Sequence, residues 1–169
     1  HACTFCVIPQ GRGKSRSLNV AEVLREVETH LGASAAEVVL TRAALGAGAV
    51  KVLADVRVKH AAPLAERPLA EEVDELVLRA GAEGVIVSGS GTGKPTDPGL
   101  LEEVARLSAG RPVLVGSGVT AKNAGALARF AGGLIVGTSV KAGGDVAGPV
   151  EVDRVRGVVA SARAAERAL

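Results

Sequence analysis

Four times between Val50 and Ala162 a short, unbroken apolar run is followed by a segment with apolar residues at helical spacing. The runs are VKVLAD at 50–55, VIVS at 85–88, VLVG at 113–116 and LIVG at 134–137. The helical stripes are Leu69, Val73, Leu76, Val77 and Ala80; then Leu100, Leu101 and Val104; then Ala124, Leu127 and Ala128; then Val152, Val155, Val159 and Ala162. Uninterrupted apolar strands alternating with amphipathic helices specify a parallel sheet covered by helices, because such strands have no face to give to water. The loops are asymmetric. Those after strands are long and rich in Gly, Ser, Thr and charge, whereas those before strands, such as Gly132-Gly133, are short. In parallel α/β folds the ligand sits at the carboxyl ends of the strands, so the long loops mark the functional face.

Ahead of this repeat the chain reads differently. Asn19 can cap a helix with Glu22 at its third position, and Val20, Val23, Leu24, Val27 and Leu31 follow at helical spacing until Gly32. Ala35 to Leu45 reads as a second helix ending at Gly46, with Val38-Val39 leaving a strand open. At 169 residues, with 47% hydrophobic and 22% charged residues, the chain suits one α/β domain and excludes global disorder. Phe5 and Phe130 are the aromatic residues, so a base-stacking nucleic-acid platform is not expected. A net charge of +2 predicts no strong polyanion field. No apolar run is long enough to span a bilayer, which leaves peripheral membrane association open. Two cysteines, no basic-then-apolar leader and no initiator Met point to a reduced, cytoplasmic chain that is a fragment or trimmed product.

The strongest local motif is GSGVT, Gly116 to Thr120, ahead of a helix. Gly116, Ser117, Gly118 and Thr120 there, with Gly137, Thr138 and Ser139 after the next strand, suit one phosphate site built from two adjacent loops. The plain alternative is a tight strand-to-helix turn. SGSGTGKPT at 88–96 is not a nucleotide P-loop: Ser88 stands where the frame needs Gly, and Pro95 stands where it needs Ser or Thr. It reads instead as an active-site loop presenting Ser88, Ser90, Thr92 and Lys94. Asp55 at a strand end, followed by Lys59 and His60, offers an acid, an amine and an imidazole for acid–base or carbonyl chemistry. A surface Lys-His pair beside an Asp bonding loop amides fits the same residues equally well. Cys3 and Cys6 form a lone CxxC, a zinc half-site or redox pair without the second pair that a zinc site needs.

Two resemblances follow from these stretches. HACTFCVIPQGRGKSRS at 1–17, extending to about residue 41, resembles the cluster loop of radical S-adenosylmethionine enzymes that methylthiolate tRNA, whose pattern is CxxxCxxC followed by a VIPxxRGxxxSR-like segment. Cys3 and Cys6 match its last two cysteines and the first would precede His1. The resemblance implies an iron–sulfur cluster and S-adenosylmethionine, but two thiolates do not hold that cluster, so no cofactor is expected in this chain. VKVLADVRVKHAAPLAERP, GVIVSGSGTGKPTDP, PVLVGSGVT and GLIVGTSVK resemble the C-terminal half of the BtpA/SgcQ family. That family implies a TIM-type (β/α)8 barrel, a link to photosystem I biogenesis in photosynthetic bacteria, and a mouth lined by Asp55, Lys59, His60, Ser88 and the turns at 116–120 and 137–139. The expected architecture is therefore α/β: a parallel (βα)4 half of the barrel over 42–169, with two extra helices and the cluster-loop-like segment over 1–41. A small phosphorylated or anionic metabolite is the expected ligand, and a homodimer closing the barrel the expected assembly. An assembly factor without catalysis is the alternative function, and a fragment of a methylthiotransferase the third.

Overall fold

A computed structural model describes residues 35–57, 66–89 and 94–166. The chain divides into two compact units, His1–Val50 and Lys51–Leu169. In the first unit α1 spans Ala35–Ala44. Gly46, at φ +62°, ends it, and Arg42 in its last turn donates from Nη2 to the Gly48 carbonyl at 3.0 Å. The helix expected between Asn19 and Gly32 lies outside the described residues, as does the cluster-loop-like segment.

The second unit is a four-stranded parallel sheet in the order β1-β2-β3-β4, with β1 at Leu53–Val56, β2 at Gly84–Val87, β3 at Val113–Val115 and β4 at Gly133–Leu134. The intervening helices are α2, which runs from Leu69–Asp74 into a π turn at Glu75–Arg79, α3 at Pro98–Leu107, α4 at Ala124–Ala128 and, after β4, α5 at Val152–Glu166. Each strand pairs with its neighbours in sequence, so each crossover advances one strand in the same direction. Right-handed crossovers then put every helix on one face of the sheet, the winding of a (β/α)8 barrel rather than of a doubly wound sheet. The core agrees: Val56, Val85, Val87, Val113 and Val115 from the strands form one buried cluster with Val73, Leu101, Val104, Leu127 and Val158 from the helices.

The alternate strand positions point the other way, as the period of two requires. There Leu53 is 44% exposed and Ile135 41% exposed, with Ile86 and Leu114 half-buried. This is the barrel-interior face, and among the described residues nothing closes over it. No helix among the described residues is long and apolar enough to cross a membrane.

The sequence explains the element ends. Asp97 caps α3 by accepting from the Gly99 amide at 2.9 Å, with Pro98 in the first helical position. Glu71 and Glu72 sit in the first turn of α2, where the helix dipole favours acids. Gly81, at φ +65°, ends that helix. Gly125 lets α4 lie against α5: its amide donates to Ser161 Oγ at 3.0 Å, and a Cβ there would come within 2.9 Å of the Ser161 carbonyl oxygen.

Two expectations shift. The first strand pairs over Leu53–Val56, not from Val50, because Val50 is drawn into a turn by donating to Ala47 and the Val52 amide donates to Glu83 Oε2 at 2.7 Å. The last strand pairs at Gly133–Leu134 rather than through Gly137, although the Ile135 amide still donates to Val115 at 2.9 Å. The helix after Thr120, by contrast, spans Ala124–Ala128 as its Ala124, Leu127 and Ala128 stripe predicts, with the Asn123 side chain closing a turn on Thr120 ahead of it.

Candidate functional site at the strand carboxyl ends

Asp55 lies on the interior face of β1, in register with Ile86 of β2, Leu114 of β3 and Gly133 of β4. Its side chain is exposed on that otherwise apolar row, and Ser88 Oγ donates to its Oδ1 at 3.1 Å. Gly116, next along β3, must lack a side chain for this pair to exist: a Cβ there would stand 2.4 Å from Ser88 Oγ and 2.7 Å from Ile86 Cγ2. Arg57, two residues beyond Asp55, adopts φ +58°, a conformation that costs a non-glycine residue about 1 kcal/mol or more. It directs its guanidinium to Glu72 on α2, with Nε 3.1 Å from Oε2, so its charge does not neutralise Asp55.

The turn at 116–120 is held by its neighbours. The Gly116 amide extends the ladder to the Val87 carbonyl at 2.8 Å. Ser117 Oγ accepts from the Gly89 amide at 3.1 Å, and the Ser117 carbonyl accepts from Thr96 Oγ1 at 3.3 Å. Gly118 sits at φ +70° and packs so closely that a Cβ would be 2.2 Å from the Lys94 carbonyl oxygen. Asn123 completes the turn: its Oδ1 accepts from the Thr120 amide at 2.7 Å and from Thr120 Oγ1 at 3.1 Å, while its Nδ2 donates to the Gly118 carbonyl at 2.9 Å.

The second turn is fastened to the first. Ser139 Oγ donates to the Val119 carbonyl at 2.6 Å, so the two glycine-bearing loops meet. A 3-10 turn at Thr138–Val140 begins there, closed by the Val140 amide on Gly137 and the Lys141 amide on Thr138. The leading amides of such a turn point outward without an internal acceptor. Among the described residues nothing accepts from the amides of Ser117, Gly118, Thr138 or Ser139. The amides of Gly116 and Thr120, by contrast, are already engaged. An open cleft of about 660 Å³ borders both loops, lined by Thr120, Lys122, Ser139, Arg154 and Val158 among others. Arg154 donates there to Glu151.

Of the other candidates, Lys94 is exposed. Lys59, His60, Ser90, Thr92, Cys3 and Cys6 lie outside the described residues. Among the described residues no group of three His, Cys, Asp or Glu side chains is placed to hold a metal. Two contributors escaped the sequence reading. Thr96 is 2% exposed, and its hydroxyl pins the 94–96 segment to Ser117. Asn123 holds the 116–120 turn through Thr120 and Gly118. The resolved pKa shifts lie on α2, away from these loops: Glu75 is held below the usual carboxylate range by the hydrogen bond and charge of Arg67, whose own pKa is raised in return.

Residues 19–164 match the model of the BtpA family. The chain belongs to the BtpA family. The match starts at residue 19, so it takes in part of the segment ahead of the sheet. A similar BtpA-family protein is the "Photosystem I biogenesis protein BtpA" of Synechocystis sp., 40% identical over 106 residues, which are 63% of this chain and 37% of that protein. An uncharacterized protein of Pyrococcus horikoshii is 43% identical over 107 residues, 62% of this chain and 39% of its own. This BtpA-family chain thus spans about two fifths of the length of such relatives. Among solved structures, N-(5'-phosphoribosyl)anthranilate isomerase from Pyrococcus furiosus has a TM-score of 0.47 at 21% identity, covering 70% of this chain and 54% of that one.

Proposed function

We propose that this BtpA-family chain binds a small phosphorylated or anionic metabolite at the carboxyl ends of its strands. The observation that carries the reading is the Ser139–Val119 hydrogen bond, which joins the 116–120 and 137–139 turns into one surface with uncommitted amides on both sides. A dianion needs several inward donors in a fixed arrangement, and backbone amides provide them without side-chain entropy. The amides of Ser117, Gly118, Thr138 and Ser139 and the Thr138 hydroxyl hold the anion in this reading. Gly116 and Gly118 shape the first turn by making room for Ser88 and for the Lys94–Pro95 segment, Gly137 leads into the second turn, and Thr120 braces the first through Asn123. Asp55 on β1, beside Ser88, supplies acid–base chemistry in this reading, with Lys59, His60, Ser90, Thr92 and Lys94 as further candidates from the sequence.

Calorimetry with inorganic phosphate tests the reading. Heat of binding in the native chain and its loss in Gly118→Val are expected; absence of heat, or binding that survives the substitution, defeats it. The 40% identity to the Synechocystis protein favours a second reading, an assembly role in photosystem I biogenesis carried by the outer helices rather than the mouth. Partner capture that depends on surface residues of α2 and α3 and is indifferent to the glycine turns would support that one.

A further inference from the structure

Asp55 is the one acid on the interior row formed with Ile86, Leu114 and Gly133. Among the described residues its sole side-chain partner is Ser88, which occupies one of the roughly four acceptor positions of an ionised carboxylate. Arg57, just beyond β1, is turned to Glu72. A carboxylate facing the mouth repels the anionic end of a ligand and attracts hydroxyl or ammonium donors. It stands on β1, whereas the paired turns follow β3 and β4. Parallel strands lie about 4.8 Å apart, so two spacings separate Asp55 from the 116–120 turn by about 10 Å, with the second turn one strand further.

We infer that the ligand is an elongated phosphate ester of a polyhydroxylated or amino compound, its phosphate on the two glycine turns and its far hydroxyl or amine on Asp55. This deepens the anion reading and rests on it. The floor between the two ends fits such a molecule. Ile86 and Leu114 supply half-buried apolar surface for the carbon chain, and Gly116, by lacking a side chain, lets Ser88 Oγ stay beside Asp55. Inorganic phosphate satisfies only one end, and a chain of about five carbons is needed to approach the other.

The test compares inorganic phosphate with ribitol 5-phosphate, an open-chain five-carbon ester, by calorimetry on the full chain. Native protein is expected to bind the ester about tenfold or more tightly than phosphate, the increment of a hydrogen bond to a charged acceptor. In Asp55→Ala, verified as folded by circular dichroism, that ratio is expected to fall to about one, and in Asp55→Asn, whose amide oxygen accepts without a charge, to a value between the two. A native ratio near one, or a ratio that survives both substitutions, overturns the inference while phosphate binding keeps the anion reading intact. Failure of the native chain to bind either compound overturns both.

Discussion

Replacing Gly118 with alanine separates two costs that the turn combines. At φ +70° any Cβ meets left-handed backbone strain of about 1–2 kcal/mol. The close approach adds to it. The new methyl would stand 2.2 Å from the Lys94 carbonyl oxygen and 2.6 Å from the Lys94 carbonyl carbon and Pro95 Cα, so the 94–96 segment must retreat by about 1 Å to reach ordinary contact. That retreat breaks the 3.3 Å bond from Thr96 Oγ1 to the Ser117 carbonyl and leaves the hydroxyl of a buried threonine without a partner, at about 1–3 kcal/mol. The expected loss is about 2–5 kcal/mol, a large share of the stability of a unit this size. Gly81→Ala is the control: it has φ +65° but nothing within 4 Å of its Cβ, so it meets the backbone strain alone. Urea unfolding followed by circular dichroism, with equal denaturant slopes, reads both. If Gly118→Ala costs no more than Gly81→Ala, the packing of the 94–96 segment over the turn is wrong.

Removing the α3 cap in Asp97→Ala should lose about 1 kcal/mol in the same assay, and Asp97→Asn should keep most of it, because either side chain can accept from the Gly99 amide. Glu75 should titrate below the free-glutamate midpoint of about 4.3, returning toward it in Arg67→Ala, as read by carboxyl carbon shifts. Because its folded pKa is lowered, the pair's stabilisation is present above the unfolded midpoint and is lost as pH falls through the folded one. The exposed interior face, with Leu53 and Ile135 open, is expected to be covered by a second copy that closes an eight-stranded barrel. Sedimentation should give twice 16.9 kDa, and a well-folded monomer would refute this closure.

Much of the sheet was legible because parallel strands buried against helices need unbroken apolar runs, and VIVS and VLVG leave no other use for those residues. The helices that pack by a Val or Leu stripe, α3 above all, were legible for the same reason. The strand ends were not, since side chains distant in sequence decide them: Glu83 captures the Val52 amide 31 residues away. The span of α4 was legible in its Ala124, Leu127 and Ala128 stripe, but not the bond between Asn123 and Thr120 ahead of it, a local side-chain choice that spacing does not reveal. At the strand carboxyl ends, glycine pairs and polar residues marked where the chain turns. What they hid was which amides are already engaged and that Thr96 and Ser139 fasten one loop to another, facts of three-dimensional proximity alone.

The central claim is that the turns after β3 and β4 act as one anion cradle, and amide chemical shifts during an inorganic phosphate titration test it most directly. The account predicts saturable shifts at Ser117, Gly118, Thr138 and Ser139 that share a single dissociation constant, with Gly116 and Thr120 moving less because their amides are engaged. Shifts confined to one turn, scattered over exposed lysines, or absent at millimolar phosphate would contradict it.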